Sequence, residues 1–301
     1  HRRNSLSSSV YTNTMNPNEK GFLSDPNVGQ IPLPFAWDMG SSTHNIIADV
    51  NADGMDDIIK AELVAKKGFQ AQTFLAQAHP FTDMLVKVKN PEGATSDITY
   101  KMSTKYFDTN GKLLNPNLQI AVTTVEKIET DDGLGNKNKE EYVYKDGHYY
   151  YKNPQDRKFA GFGVVEKRDA LGNVTKTYYH QGNHTNINLG ELDDHSSKIG
   201  KIYREEYYDN TGKLYKVVIH KWGRYEIGPD RDFVKQISTI SYTYDGLLDH
   251  RDIAEGYVYD DTNGNLKEKI DYGEVQASDL GSFIDIGNDK KSTHYTYAND
   301  P

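Results

Sequence analysis

Cysteine is absent from all 301 residues. That omission removes disulfide bonds, thiolate zinc sites and cysteine nucleophiles together. Long apolar runs are missing too: no stretch approaches the roughly 18 residues that a membrane-spanning helix needs. Lysine and arginine number 35 against 44 aspartates and glutamates, a formal net charge of −9 with no basic cluster. A nucleic-acid or anionic-membrane surface needs such a cluster, so both classes are disfavoured. No G-x-S-x-G elbow, phosphate-cradling glycine loop or dinucleotide fingerprint is found, and helical periodicity is nearly absent.

Tyrosine, by contrast, is abundant. Only 36% of residues are apolar, yet 22 are tyrosine, which points to strands that expose amphipathic aromatics rather than to disorder. From Asp83 onward, short alternating runs such as Leu85-Val86-Lys87-Val88-Lys89 and Ile98-Thr99-Tyr100-Lys101-Met102 are separated by turn residues. Turns are expected at Asn90-Pro91-Glu92-Gly93, Asp108–Gly111, Asp131-Asp132-Gly133, Asp146-Gly147, Leu171-Gly172-Asn173, Asn210-Thr211-Gly212 and Asn263-Gly264. The pattern predicts an all-β fold, an antiparallel meandering sheet.

Near the N-terminus, Asp49, Asn51, Asp53 and Asp57 fall at loop positions 1, 3, 5 and 9, with Gly54 at position 6 and the Met55 carbonyl available at 7. Ca²⁺ takes six to eight oxygens at roughly 2.3–2.6 Å, and alternate residues of a coiled loop can aim theirs at one point. Position 12 is Lys60 rather than a bidentate Glu, and the flanks Asn45–Ala48 and Asp57–Lys60 are β-branched runs. The loop is therefore expected to join two strands, with Asp49, Asn51, Asp53, Met55 and Asp57 as metal ligands. A metal-free Asx-rich turn is the competing reading, because Asp, Asn and Gly dominate turns in any case.

The remaining candidates for chemistry are weaker. His180 and His184 have an H-x₃-H spacing, but Gly182-Asn183 between them marks a loop, so these and His195 are expected to be structural or surface histidines. Adjacent acids such as Asp193-Asp194 and Glu205-Glu206 are expected by number alone. Gly161-Phe162-Gly163 reads as a close backbone approach or bulge. Tyr142, Tyr144, Tyr149, Tyr150 and Tyr151 suit either sugar stacking or, preferably, cross-strand aromatic pairing.

One motif recurs: an aromatic, Asp, a short turn with Gly, a polar residue, then Leu. It occurs at Phe107–Leu113, Tyr208–Leu214 and, with one extra residue, Tyr259–Leu266. It resembles the YD repeat of RHS proteins. The calcium-type loop resembles the FG-GAP or VCBS repeat. The run Asp83–Ala94, with Ile98-Thr99-Tyr100, Asp131-Asp132-Gly133, Tyr142–Gly147, Arg157–Gly163, Tyr178–Asn183 and Arg204–Asp209, is similar to the middle region of the toxin-complex B component (TcdB) and SpvB-type proteins.

The resemblance implies five segments: an irregular arm over 1–30, a calcium-loop segment over 31–62, a connector over 63–82, a toxin-complex-B-middle-like β region over 83–185 and a YD-repeat-like β region over 186–301. Residues 61–80 are Ala/Gln/Lys-rich and suit either a short helix or an extended connector. It further implies a non-enzymatic, Ca²⁺-stabilised module of a β-shell that encloses or presents a toxin payload. Its partners would be the rest of the parent polypeptide, other toxin-complex subunits and an encapsulated C-terminal toxin, in a secreted or cell-surface setting. The chain opens without Met or the apolar core of a signal peptide and closes in a strand-like His294–Tyr297, so it reads as a piece of something longer. The alternatives are an adhesin that binds glycan or protein through tyrosine-rich strands and, more remotely, a hydrolase built on the histidines and acids.

Overall fold

The computed structural model describes residues 43–64, 68–76, 84–229 and 231–298, and divides the chain into two compact units, His1–Pro80 and Phe81–Pro301. The expected irregular arm lies outside the described residues. In the first unit, β1 (Thr43–Ala48), β2 (Asp57–Val64) and β3 (Gly68–Phe74) form a three-stranded antiparallel sheet in sequence order. Ile46 faces Ile59 and Ala48 faces Asp57 across the first pair, so the expected strand–loop–strand is present. Among the described residues of 61–80 there is no helix: β2 runs on to Val64, and residues 68–74 of the expected connector pair with it as a third strand, Ile58 facing Phe74. Strand pairing satisfies backbone groups that an isolated Ala/Gln-rich stretch of this length would leave to water as a marginal helix.

The second unit is a single antiparallel sheet of thirteen strands: β4 (Lys87–Lys89), β5 (Thr95–Met102), β6 (Thr123–Asp131), β7 (Lys137–Tyr151), β8 (Arg157–Arg168), β9 (Val174–Tyr179), β10 (Ile202–Tyr208), β11 (Leu214–Gly228), β12 (Arg231–Thr243), β13 (Arg251–Tyr259), β14 (Leu266–Ala277), β15 (Phe283–Asp285) and β16 (Lys291–His294). From β4 to β15 the spatial order is the sequence order, and β16 pairs with β14 beyond β15. The expected all-β antiparallel meander is the fold observed.

The hairpin turns explain this regularity. Asp108 Oδ1 accepts the amides of Asn110 and Lys112 at 2.8 Å each, and Asp209 Oδ1 accepts those of Thr211 at 2.9 Å and Lys213 at 2.8 Å. Asp169 does the same for Leu171 and Asn173, and Asp132 for Leu134 and Asn136. Three residues after each Asp stands a glycine with left-handed φ, between 78° at Gly111 and 102° at Gly135. The shared element is thus Asp-x-x-Gly; the aromatic before it is dispensable, since Arg168 and Asp131 precede two of the four. At Asp260 the extra residue moves the glycine one place on.

The expected turn at Asp146-Gly147 is absent: both residues lie within β7. Asp146 is left-handed (φ 54°) and the pairing with β8 shifts between Gly147 and Tyr149, so this is a bulge. The groups it displaces find side-chain partners. Asn115 Oδ1 accepts the Gly147 amide at 2.8 Å, and Gln181 Nε2 donates to the carbonyls of Asp146 (2.8 Å) and Gly161 (3.0 Å).

The core lies across β11 to β14. Val217 faces Tyr242, Ile219 faces Ile240, and Ile240 faces Ala254, so one face of these strands carries Val217, Ile219, Ile240, Tyr242, Ala254 and Val275, all buried. Each fully buried aliphatic here contributes roughly 1.5–3 kcal/mol.

Gly163, in the stretch read as a close approach, leaves no room for a side chain: a Cβ there would lie 2.8 Å from Gln181 Oε1 and 3.1 Å from Asp146 Cβ. Because Gln181 is pinned by its two donated hydrogen bonds, Gly163→Ala is expected to cost about 1–3 kcal/mol. Urea unfolding measures it, and an unchanged midpoint would mean that Gln181 yields freely.

Candidate functional site

In the β1–β2 loop the predicted ligands sit in one tight turn. Asp49 Oδ1 accepts the Asp53 amide at 3.1 Å and Oδ2 the Gly54 amide at 2.9 Å. Asn51 Oδ1 accepts the Asp53 amide at 2.9 Å, and Asp53 Oδ1 accepts that of Met55 at 3.0 Å. Gly54 has the left-handed φ (86°) that the sharp turn requires. Asp57 is fully buried and braces the sheet: its two oxygens accept the amides of Val50 at 3.0 Å and of Ala76 at 2.8 Å. Asp49, Asp53 and Asp57 do not bring one carboxylate oxygen each within 4.8 Å of one another; among the described residues the one such trio of acids and histidines lies elsewhere.

That trio is His180, Glu191 and Asp194, and all three are buried. They belong to the β9–β10 connection, which is closed at its base by His180 N–H donating to Lys201 O and Gly200 N–H donating to His180 O, both 2.9 Å. The segment between folds on itself through the left-handed residues Gly182, His184, Gly190, Asp193 and Gly200. Asp194 is its anchor. Oδ1 lies 2.9 Å from His180 Nδ1, and Oδ2 accepts the amides of Asn183 at 2.7 Å and His184 at 3.1 Å. Glu191 Oε2 accepts the Asn186 amide at 2.7 Å. Tyr203, fully buried, places its ring 5.2 Å from that of His180, centroid to centroid.

The electrostatics divide the two acids. Burial would raise the Asp194 carboxyl, but the His180 imidazole and the amides of His184, Gly182 and Asn183 override it and hold it well below the usual range. Glu191 goes the other way: burial first, then the charge of Asp194, pushes it up to about 7 despite the Asn186 amide. The Tyr203 phenol is raised by burial and by the charges of Glu191 and Asp194, and lowered in part by Arg204 and the Asn186 side chain.

The sequence reading placed His180 in a loop, as found, but discounted Asp194 and did not single out Glu191. Of the H-x₃-H pair, His184 contributes its backbone amide to Asp194, not a ring to the trio. His195 sits apart, with Nδ1 2.9 Å from Ser197 Oγ and 3.4 Å from Asp232. The signal that could have found it is local: glycines bracketing a polar, acid-bearing segment too long for a hairpin.

Of the five tyrosines, Tyr144 makes the expected cross-strand aromatic pair, and the others have different surroundings. Tyr144 stands between Tyr106 and Phe162, ring centroids 5.8 and 4.9 Å away, and Tyr142 donates its hydroxyl to Glu140 at 2.7 Å. Tyr150 lies under Lys158 and against Gly182. Of the five, Tyr151 is the exposed one.

A raised Glu191 fixes the sign of a pH effect. The folded protein holds this proton more tightly than the unfolded chain, so the contribution is full below pH 4.5 and is lost as pH rises through about 7. In chelator-containing buffer, Glu191→Gln is expected to flatten the fall in urea midpoint across that window. A wild-type midpoint that does not fall would contradict the assignment.

The model of the insecticide toxin TcdB middle/N-terminal region matches residues 29–186, more than half of the chain. No curated protein matches it. Among solved structures, the chain is similar to the crystal structure of TcdB2-TccC3 without hypervariable C-terminal region, with a TM-score of 0.57 and 17% identity. The match covers 82% of this chain and 14% of that one, so this chain spans a small part of its relative's length, and at this identity the likeness is one of fold. The matched family model covers the strand–loop–strand, the bulged sheet and the start of the β9–β10 loop, and on that basis the chain belongs to the family of the insecticide toxin TcdB middle/N-terminal region.

Proposed function

We propose that this chain is a non-catalytic wall segment of a secreted toxin-complex B-type protein, forming part of a β-shell that encloses or presents a toxin payload and meets other toxin-complex subunits. The observation that carries it is the second unit's single meander, with strand order equal to sequence order from β4 to β15 and, among the described residues, β4 at one edge and β15 with β16 at the other each paired on one side only. Such a sheet extends by pairing further strands at its edges, as a section of a larger wall must. The face opposite the buried patch suits water or cargo: Tyr207 and Tyr257 donate to Glu205 and Glu255 two residues earlier on the same strands, at 3.2 and 2.7 Å, covering apolar rings with polar caps. Among the described residues no helix is long and apolar enough to cross a membrane.

In this reading, the β1–β2 loop holds Ca²⁺ through Asp49, Asn51, Asp53, the Met55 carbonyl and Asp57, tying two strands together. The loop supports it by gathering three of these side chains in one hydrogen-bonded turn; a cation would have to draw Asp57 and the other carboxylates closer than they stand. The same hydrogen bonds also serve a metal-free Asx turn, so the melting temperature decides. EDTA is expected to lower it, and Asp53→Ala to remove the difference; a wild type indifferent to EDTA and added CaCl₂ removes the calcium from the proposal.

The wall itself is testable because the chain has no cysteine of its own. Asn138 and Lys139 are adjacent, exposed and on opposite faces of β7. Asn138→Cys and Lys139→Cys should react alike with a bulky maleimide in the isolated chain. In the assembled parent protein one of them should react far more slowly; equal rates there would sink the enclosure.

A further inference from the structure

The β9–β10 loop carries a chemistry that a passive wall does not use. Two carboxylates, Glu191 and Asp194, are about 1% exposed, and one imidazole faces them. Lys198, the buried cation of the same loop, is engaged by Asp193 Oδ2 at 3.0 Å and Leu192 O at 3.3 Å. Burying two acids against a single histidine is costly unless a further positive charge joins them.

We propose that His180, Glu191, Asp194 and Tyr203 bind one divalent first-row transition cation, Zn²⁺ foremost, as a structural ion that fastens the loop to the sheet. His180, Glu191 and Asp194 each offer a ligand atom, all within 4.8 Å of one another. Zinc bonds of about 2.0–2.2 Å set ligand atoms at comparable spacing. His180 Nδ1 and Asp194 Oδ1, 2.9 Å apart in a hydrogen bond, would open by roughly half an ångström as the ion takes the place of the imidazole proton between them.

The surroundings are those of a supported site. Asp194 Oδ2 is held by the Asn183 and His184 amides and Glu191 Oε2 by that of Asn186, which orients both carboxylates; Asp194 Oδ1, bonded to His180 Nδ1, is the oxygen a cation would take over. The independent sign of a ligand is Tyr203. Its hydroxyl is fully buried and, with the Asn186 side chain near it but outside hydrogen-bond geometry, has no hydrogen-bond partner, although a buried phenol ordinarily finds one. Its ring packs on that of His180, centroids 5.2 Å apart, which sets it beside the trio. An imidazole nitrogen with carboxylate and phenol oxygens is a mixed N/O set that suits zinc; Ca²⁺ and Mg²⁺ take oxygen alone.

The test uses the whole chain, stripped in chelator and denaturant and refolded with ZnCl₂, MnCl₂ or CaCl₂, so that slow entry into a buried site cannot mask binding. Retained metal is read by mass spectrometry and the melting temperature is recorded beside it. Zn²⁺ should be kept at one per chain with a raised melting temperature, Mn²⁺ more weakly. Glu191→Gln, close in shape and able to fold without the second charge, and Tyr203→Phe should each weaken zinc at least roughly tenfold. Asp53→Ala, in the β1–β2 loop, should leave zinc unchanged. No retained zinc in the wild type, equal retention in Glu191→Gln, or loss of zinc in Asp53→Ala would each overturn the assignment; none of these bears on whether the sheet forms part of an enclosure.

Discussion

The interaction on which this molecule depends is an aspartate oxygen accepting backbone amides. It closes the hairpins after Asp108, Asp132, Asp169, Asp209 and Asp260, shapes the β1–β2 loop through Asp49, and pins the β9–β10 loop through Asp194. Each such carboxylate satisfies amides that the reversal of the chain takes away from the strand ladder. A sheet of thirteen strands needs many reversals, and a chain with few apolar residues has little core with which to impose them. Turn chemistry and the buried patch on β11 to β14 together fix the register.

The same interaction explains what could be read in advance. Turns whose Asp and Gly stand three apart were visible as strings of residues, because every group they need lies within five positions. The Asp146-Gly147 bulge was not: it resembles a turn in sequence, and what makes it a bulge is supplied by Asn115 and Gln181, each more than thirty residues away from the group it bonds. Strand β3 was hidden for a similar reason. Its Ala/Gln-rich composition is indifferent to state, and pairing with β2 decides it.

Of the candidate sites, the β1–β2 loop was legible because its donors are consecutive. The trio of His180, Glu191 and Asp194 was hidden among 44 acids, and only the folding of the loop distinguishes these two from the rest. Helical spacing would pair His184 with His180, but the glycine between them marks a loop, and the structure puts an acid fourteen residues away beside His180 instead. A loop with several left-handed residues brings together side chains that no periodicity relates.

Because each strand from β5 to β15 hydrogen-bonds to its immediate predecessor, no pairing has to wait for a distant part of the chain to arrive. Low contact order of this kind lowers the entropic barrier to forming each new ladder. A chain emerging slowly from the ribosome, or threading through a narrow passage from its N-terminal end, can therefore lay down the sheet one hairpin at a time, with only the most recent strand awaiting a neighbour.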